Sequence, residues 1–163
     1  MDLHRREDDR GFFARSFCES QFGAHGLPTR FPQCNVSFNI RRGTLRGMHY
    51  QADPSPEGKL VRCTRGAIFD VVLDIRPGSP TYCKWLGFEL SEKNGTALYL
   101  AEGLAHGFQT LRAGAEVLYY MSAPYQAGLG RGVRWNDKAF GIEWPIASPL
   151  LSERDQTFTD FVR

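Results

Sequence analysis

The 163-residue sequence has no apolar run long enough to span a membrane, and no signal-type segment precedes its first charges. It is therefore read as a chain without a membrane partner, in the cytoplasm. Its net charge is only +2, which gives no electrostatic footprint for nucleic acid. The four cysteines, Cys18, Cys34, Cys63 and Cys83, lack the paired spacing of a zinc site. Reduced thiols fit them better than a disulfide framework. Helical periodicity is almost absent, and so are internal repeats and low-complexity linkers. A metal-binding β-barrel site of the His-x-His type is missing as well, because Tyr50 and Gln51 follow His49. His49 and His106 remain as potential ligands, which is a poor donor set.

What is present is a globular composition, 42% hydrophobic and 23% charged, in a length that suits one domain over residues 1–163. Short β-type runs follow one another between turn signals. Residues 11–17 read as an aromatic strand after a solvated polar opening, Met1 to Arg10. Glu19 to His25 reads as a short helical turn closed by Gly26, with Pro28 beyond. Strands follow over 33–40, 59–64, 67–75, 85–90, 97–100, 105–111 and 115–121, with a late one over 131–135. Asn94-Gly95 is a hairpin-type signal. Eight or more short strands predict an all-β domain, a sandwich or barrel, with a double-sheet jelly roll as one way to close its edges.

The centre of the pattern is Gly43-Thr-Leu-Arg-Gly-Met-His-Tyr-Gln51. Val36, Phe38 and Ile40 alternate ahead of it and predict a half-buried strand. Arg46, His49 and Gln51 then gather a cation, a titratable ring and an amide. Arg46 shares their face only if Gly47 shifts the register. Further candidates are His106, Lys59, Asp70, Asp74, Tyr119, Tyr125 and Asp155. His106, between glycines and apolar neighbours, reads as a satisfied core group. Asp70, in an apolar strand, needs a partner and either fixes a histidine tautomer or caps a loop. Tyr119 and Tyr120 point to opposite faces, so one of them at most faces a cavity.

Six blocks in order along nearly the whole chain resemble the dTDP-4-dehydrorhamnose 3,5-epimerase family. They are Arg10-Gly-Phe-Phe13, Gln33-Cys-Asn-Val-Ser37, Leu45-Arg-Gly-Met-His-Tyr-Gln51, Phe69 to Arg76, Gly103-Leu-Ala-His-Gly-Phe108 and Leu151-Ser-Glu-Arg-Asp155. The resemblance implies a jelly-roll cupin (double-stranded β-helix) that is a homodimer and uses no metal or organic cofactor. It implies action on a nucleotide-diphosphate 4-keto-6-deoxy sugar, in routes such as dTDP-rhamnose and lipopolysaccharide synthesis.

A ketone at carbon 4 acidifies the protons on carbons 3 and 5. Epimerisation needs a base, an acid on the other face, and a group that holds the enolate oxygen. By resemblance His49 is the base, Asp155 its carboxylate partner, Tyr119 the acid and Lys59 the cation near the carbonyl oxygen. An ordinary imidazole, with a pKa of ~6.5, suits proton abstraction near neutral pH. Arg10 and Arg46 match substrate-binding positions, and Gln33, Asn35, His106 and Arg154 match lesser ones; Gln51 and Arg15 are further candidate binding residues. Tyr125 matches a ring that stacks on the base.

Three departures bear on the nucleotide. Arg15 stands where the family usually has Glu, and Gly128 and Gly130 stand where it usually has acidic residues. Those positions lie towards the nucleotide end of the family's site. A CDP- or GDP-linked 4-keto sugar therefore competes with the dTDP substrate. A 3,4-ketoisomerase and a non-catalytic sugar-nucleotide-binding cupin compete with the epimerase itself. The chain also begins close to Arg10-Gly11, where family members usually carry a further leading segment.

Overall fold

The computed structural model describes residues 1–162. Arg163, the last residue of the expected domain, lies outside the described residues. The polar opening is not wholly irregular. β1 (Arg6–Asp8) pairs with β2 (Gly11–Phe13) in an exposed hairpin. The aromatic strand expected over 11–17 thus ends at Phe13, because it has only β1 to pair with. Helix α1 (Glu19–Ala24) follows, and Gly26 takes a positive φ of 67° just beyond it.

The remaining strands form two antiparallel sheets. β3 (Gln33–Asn39), β10 (Ala115–Met121), β5 (Lys59–Arg65) and β8 (Ala97–Leu100) lie side by side in that order. The second sheet runs β11 (Gly130–Gly132), β4 (Leu45–Gln51), β9 (Leu104–Thr110), β6 (Ala67–Asp74) and β7 (Trp85–Ser91). This is the jelly-roll cupin architecture. The turn at Asn94-Gly95 carries the chain from β7 in one sheet to β8 in the other, so it is a crossing and not a hairpin. Helix α2 (Glu153–Gln156) comes near the C-terminus, where sequence periodicity showed nothing.

The core lies between the sheets. Val61, Cys63, Ile68, Leu90, Phe108 and Val117 meet there, each at most 3% exposed. The outer face of the five-stranded sheet is covered by the C-terminal segment, where Val133, Phe140 and Trp144 pack on Val71 and Leu73. The outer face of the other sheet packs Leu60 and Tyr120 against Phe22 of α1 and Phe17, Leu27 and Phe31 around it. Both outer faces are thus covered in part, and the outer face of β3 is left exposed.

On β3 the expected polarity is reversed. Val36, Phe38 and Ile40 are the exposed face, while Ser37 and Asn39 are buried. Alternation was correct but the inward face is the polar one. The Asn39 amide donates to Ser37 O and Ala115 O, and its Oδ1 accepts from Arg46 Nε. A buried amide is tolerated because each part of it is bonded. Among the described residues no helix is long and apolar enough to cross a membrane.

Candidate active site

Strands of both sheets, with α2, line a cleft of about 460 Å³. Its construction begins at β4. Arg46 stands opposite Phe108 of β9, and His49 stands opposite His106. Three steps along β4 thus match two along β9. That extra residue brings Arg46 and His49, which a regular strand would send to opposite faces, into the same cleft with Gln51. Gly47 makes the bulge possible. Its φ is +146°, and a Cβ there would lie 2.5 Å from Gly107 Cα.

Three carboxylates each hold a basic group that lines the cleft. His49 Nε2 lies 2.6 Å from Asp155 Oδ1. His106 Nε2 lies 2.9 Å from Asp70 Oδ2. Lys59 Nζ lies 3.0 Å from Glu57 Oε1. Asp155 reaches the cleft from α2, whose N-cap Ser152 accepts the Asp155 N–H through Oγ. Burial alone would raise the Asp155 carboxyl. Hydrogen bonds from His49 and Ser152, and the His49 charge, outweigh burial and hold it below the usual carboxylate value. Asp70, wholly buried, serves as the partner that fixes His106 and not as a loop cap.

Tyr119 faces the cleft from β10, while its neighbour Tyr120 turns away onto Phe31, 5.8 Å between ring centroids. Burial pushes the Tyr119 phenol above its ordinary value. The Arg46 charge opposes this and the Glu57 charge adds to it. Tyr119 is therefore a protonated phenol at neutral pH.

The polar rim is largely spoken for. Gln51 is 3% exposed and spends its amide on the backbone: Nε2 donates to Ser55 O and Pro124 O, and Oε1 accepts from Gln126 N. It fastens two loops beside the cleft. Gln33 Oε1 accepts from Tyr125 N, and its Nε2 donates to Asn35 Oδ1. Tyr125 stands at the rim, half exposed. A Cβ at Gly130 would lie 3.2 Å from the Tyr125 hydroxyl and 3.3 Å from Arg154 Nη2, so this glycine leaves room for both. Gly128 borders open space.

Two expected binding residues lie outside the cleft of their own chain. Arg10 is exposed on the β1–β2 hairpin and grips Asp8 through Nε and Nη2. Arg15 borders a separate cavity beside Phe17 and Cys18. Glu57 and Arg131 line the cleft and were not expected. An acidic residue two before Lys59 was the available signal for Glu57. Four basic side chains, Arg46, Lys59, Arg131 and Arg154, face two carboxylates, Glu57 and Asp155, in the cleft. That balance suits an anionic ligand. Among the described residues no three His, Cys, Asp or Glu side chains are arranged to hold a metal ion.

The profile of the dTDP-4-dehydrorhamnose 3,5-epimerase family matches residues 1–162. The chain is 47% identical over 151 residues to the dTDP-4-dehydrorhamnose 3,5-epimerase of Sinorhizobium fredii, covering 92% of this chain and 77% of that one. It is 42% identical over 153 residues to the dTDP-4-dehydrorhamnose 3-epimerase of Streptomyces niveus, covering 93% and 73%. The crystal structure of the Bacillus anthracis dTDP-4-dehydrorhamnose 3,5-epimerase, with TDP and PPi bound, superposes with a TM-score of 0.96 at 39% identity, over 98% of this chain and 91% of that one. The family profile, these relatives and the shared fold agree: the chain belongs to the dTDP-4-dehydrorhamnose 3,5-epimerase family and is an isomerase of the epimerase class.

Proposed function

We propose that the protein inverts carbon 3, carbon 5 or both in a dTDP-linked 4-keto-6-deoxy sugar, with His49 as base and Tyr119 as acid. The observation that carries this reading is that the His49–Asp155 pair, the Tyr119 phenol and the Lys59 ammonium all line one cationic cleft.

With Nε2 directed at Asp155, the His49 ring keeps its lone pair on Nδ1. That nitrogen takes the proton from carbon 3 or carbon 5. The C–H electron pair becomes the enolate double bond, and the carbonyl π pair moves onto the oxygen. Lys59 stabilises the charge that forms there. Asp155 stabilises the imidazolium, as carboxylate partners of catalytic histidines do. Tyr119 then delivers its proton to the other face of the carbanion carbon, the ketone re-forms, and His49 and Tyr119 return to their starting states by exchange with water. The His49 side chain is 36% exposed, which gives water a path to it. No cofactor takes part in these steps. Arg46, Arg131 and Arg154 supply the cations for a diphosphate.

A homodimer is part of this reading. Val36 and Phe38 of β3 and Ile40 just beyond it are 61%, 50% and 76% exposed, and β3 is the edge of its sheet. A second copy would cover them. Arg10 and Arg15 have a substrate role only if they reach the cleft of such a copy. The reaction is placed in the cytoplasm, where nucleotide sugars and reduced thiols coexist.

Proton NMR in deuterium oxide with dTDP-, CDP- and GDP-linked 4-keto-6-deoxyglucose tests the reading. Loss of the carbon 3 or carbon 5 signal from the dTDP substrate is the expected result. Preference for another nucleotide would overturn the dTDP assignment, and no exchange with any of the three would overturn the epimerase.

A further inference from the structure

Two side-chain atoms among the described residues are buried without a hydrogen-bond partner, Glu57 Oε2 and Asp70 Oδ1. Each belongs to a carboxylate whose other oxygen holds a basic group of the cleft. Asp70 stands behind His106. Glu57 differs, because it lines the cleft itself while only 8% exposed.

Stability alone gives little reason for this residue. An orphaned buried acceptor is destabilising. A buried ion pair is often no more stabilising than an apolar pair of the same size. The cleft supplies the missing reason. Lysine carries its charge on a flexible four-carbon stem and needs something to hold it in one place. Lys59 opens β5, flanked by Met121 and Leu100 on the neighbouring strands. The preceding Gly58 is clamped: its N–H donates to Ser122 Oγ at 2.7 Å, and its carbonyl accepts from Ser122 N at 2.9 Å. A Cβ at residue 58 would lie 2.6 Å from the Tyr99 hydroxyl oxygen, so a larger residue cannot enter without a shift. Extended chain sends residues 57 and 59 to the same side, and there the carboxylate meets the ammonium.

We propose that Glu57 is a positioning residue: it holds the Lys59 ammonium in place for the ketone oxygen that gains charge during epimerisation. The proposal rests on the epimerase reading above. The surroundings explain why a carboxylate is needed. Arg46 and His49 face the cleft from β4, His106 from β9, Arg131 from β11 and Arg154 from α2. Asp155 is committed to His49, Asp70 to His106, and Tyr119 on β10 is a neutral phenol. Glu57 is the carboxylate in contact with Lys59 in that positive field. Without it, the ammonium loses its anchor and the four-carbon stem is free to swing.

The test uses Glu57→Gln, Glu57→Asp, Lys59→Met and the Glu57→Gln/Lys59→Met double variant. Trace acetylation at pH 8, read by peptide mass spectrometry, reports Lys59 directly and needs no turnover. Acetylation of Lys59 is expected to rise several-fold in the Gln variant and less in the Asp variant. On the sugar nucleotide, kcat is expected to fall roughly 10- to 100-fold in the Gln variant with KM within about threefold, and its loss is expected to vanish in the Lys59→Met background. A merely structural role would leave the two losses additive. Unchanged Lys59 acetylation in the Gln variant overturns the proposal. If that variant does not fold, unchanged acetylation in the Asp variant does so. Raised acetylation in a protein that turns over no 4-keto sugar nucleotide would sustain the positioning of Lys59 and sink the epimerase reading instead.

Discussion

His49 Nε2 and Asp155 Oδ1 stand 2.6 Å apart although 106 positions separate them in the chain. One residue comes from the middle of β4 and the other from a four-residue helix near the C-terminus. Asp155 is 3% exposed, and its own N–H is tied to Ser152, so the carboxylate arrives already oriented. The histidine gains a fixed ring and a counter-charge. The helix gains a docking point on β4. Fold and chemistry depend on the same contact here.

Asp155→Asn keeps the shape of that contact and removes its charge. The imidazolium then forms without its counter-ion, and the amide can turn its NH₂ to the ring and select the wrong tautomer. Solvent deuterium exchange is expected to slow by about 10²–10³-fold, within the range that base catalysis and its carboxylate partner command. Calorimetric affinity for dTDP is expected to change by no more than a few-fold, because Asp155 is engaged with the base. Exchange at the wild-type rate would remove Asp155 from the mechanism.

Gly47→Ala tests the bulge. The added Cβ would meet Gly107 Cα at 2.5 Å and His106 O at 3.2 Å, both backbone atoms that cannot swing aside, at a φ of +146°. The expected result is a loss of about 2–4 kcal/mol in urea unfolding. Any folded fraction is expected to be poorly active, because Arg46 and His49 lose their shared face. A variant of wild-type stability and activity would show that the bulge does not depend on the glycine.

Gly47 of β4 is visible in the sequence, and a register shift there is the one condition on which Arg46 joins His49. Eleven of the thirteen expected site residues line the cleft. Other features were hidden for physical reasons. Alternation on β3 marks two faces but not which one is inward, and there the buried amide network of Asn39 decides. Asn94-Gly95 makes a turn wherever it occurs, but which sheet receives the next strand is a tertiary matter. Helix α2 is too short to show a period. Its legible trace was Ser152 followed three residues later by an acidic side chain. Arg10 is a candidate by resemblance and Arg15 as a departure from it, and one chain gives neither of them this cleft to face.

The thiols offer a check on the fold that is independent of catalysis. Burial pushes Cys63 up to about 11, so little thiolate exists at pH 8 and the residue is also closed to reagent. Hydrogen bonding to Ser20 leads the effects that bring Cys18 below its ordinary value, and it borders an open cavity. Iodoacetamide at pH 8 is expected to modify Cys18 in the folded protein and Cys63 only after unfolding, as read by peptide mass spectrometry. Early modification of Cys63 would mean that the two sheets do not pack as described.

Acid stability follows from Asp74. Its Oδ1 accepts from the Arg76 backbone N–H and Nε, and its Oδ2 from Arg76 Nη2, Ser79 and Thr81. Arg76 leads in holding the carboxyl far below its usual value; burial opposes it, and the two hydroxyls add to Arg76. The folded-state value is thus lower than the unfolded one of 3.8. The stabilisation is therefore full above 3.8 and fades as pH falls towards the folded value, because the unfolded chain takes up the proton first. Asp74→Asn removes that charge at every pH. The variant is expected to be less stable than wild type at pH 7 by about 1–3 kcal/mol, the usual consequence of breaking bonds to a charged group. The two urea midpoints are expected to converge between about pH 4 and pH 2. Asp155 and the other carboxylates titrate in both proteins, so the difference between the two curves isolates Asp74. Parallel curves over that interval would show that the turn after β6 is held by its backbone and not by the carboxylate.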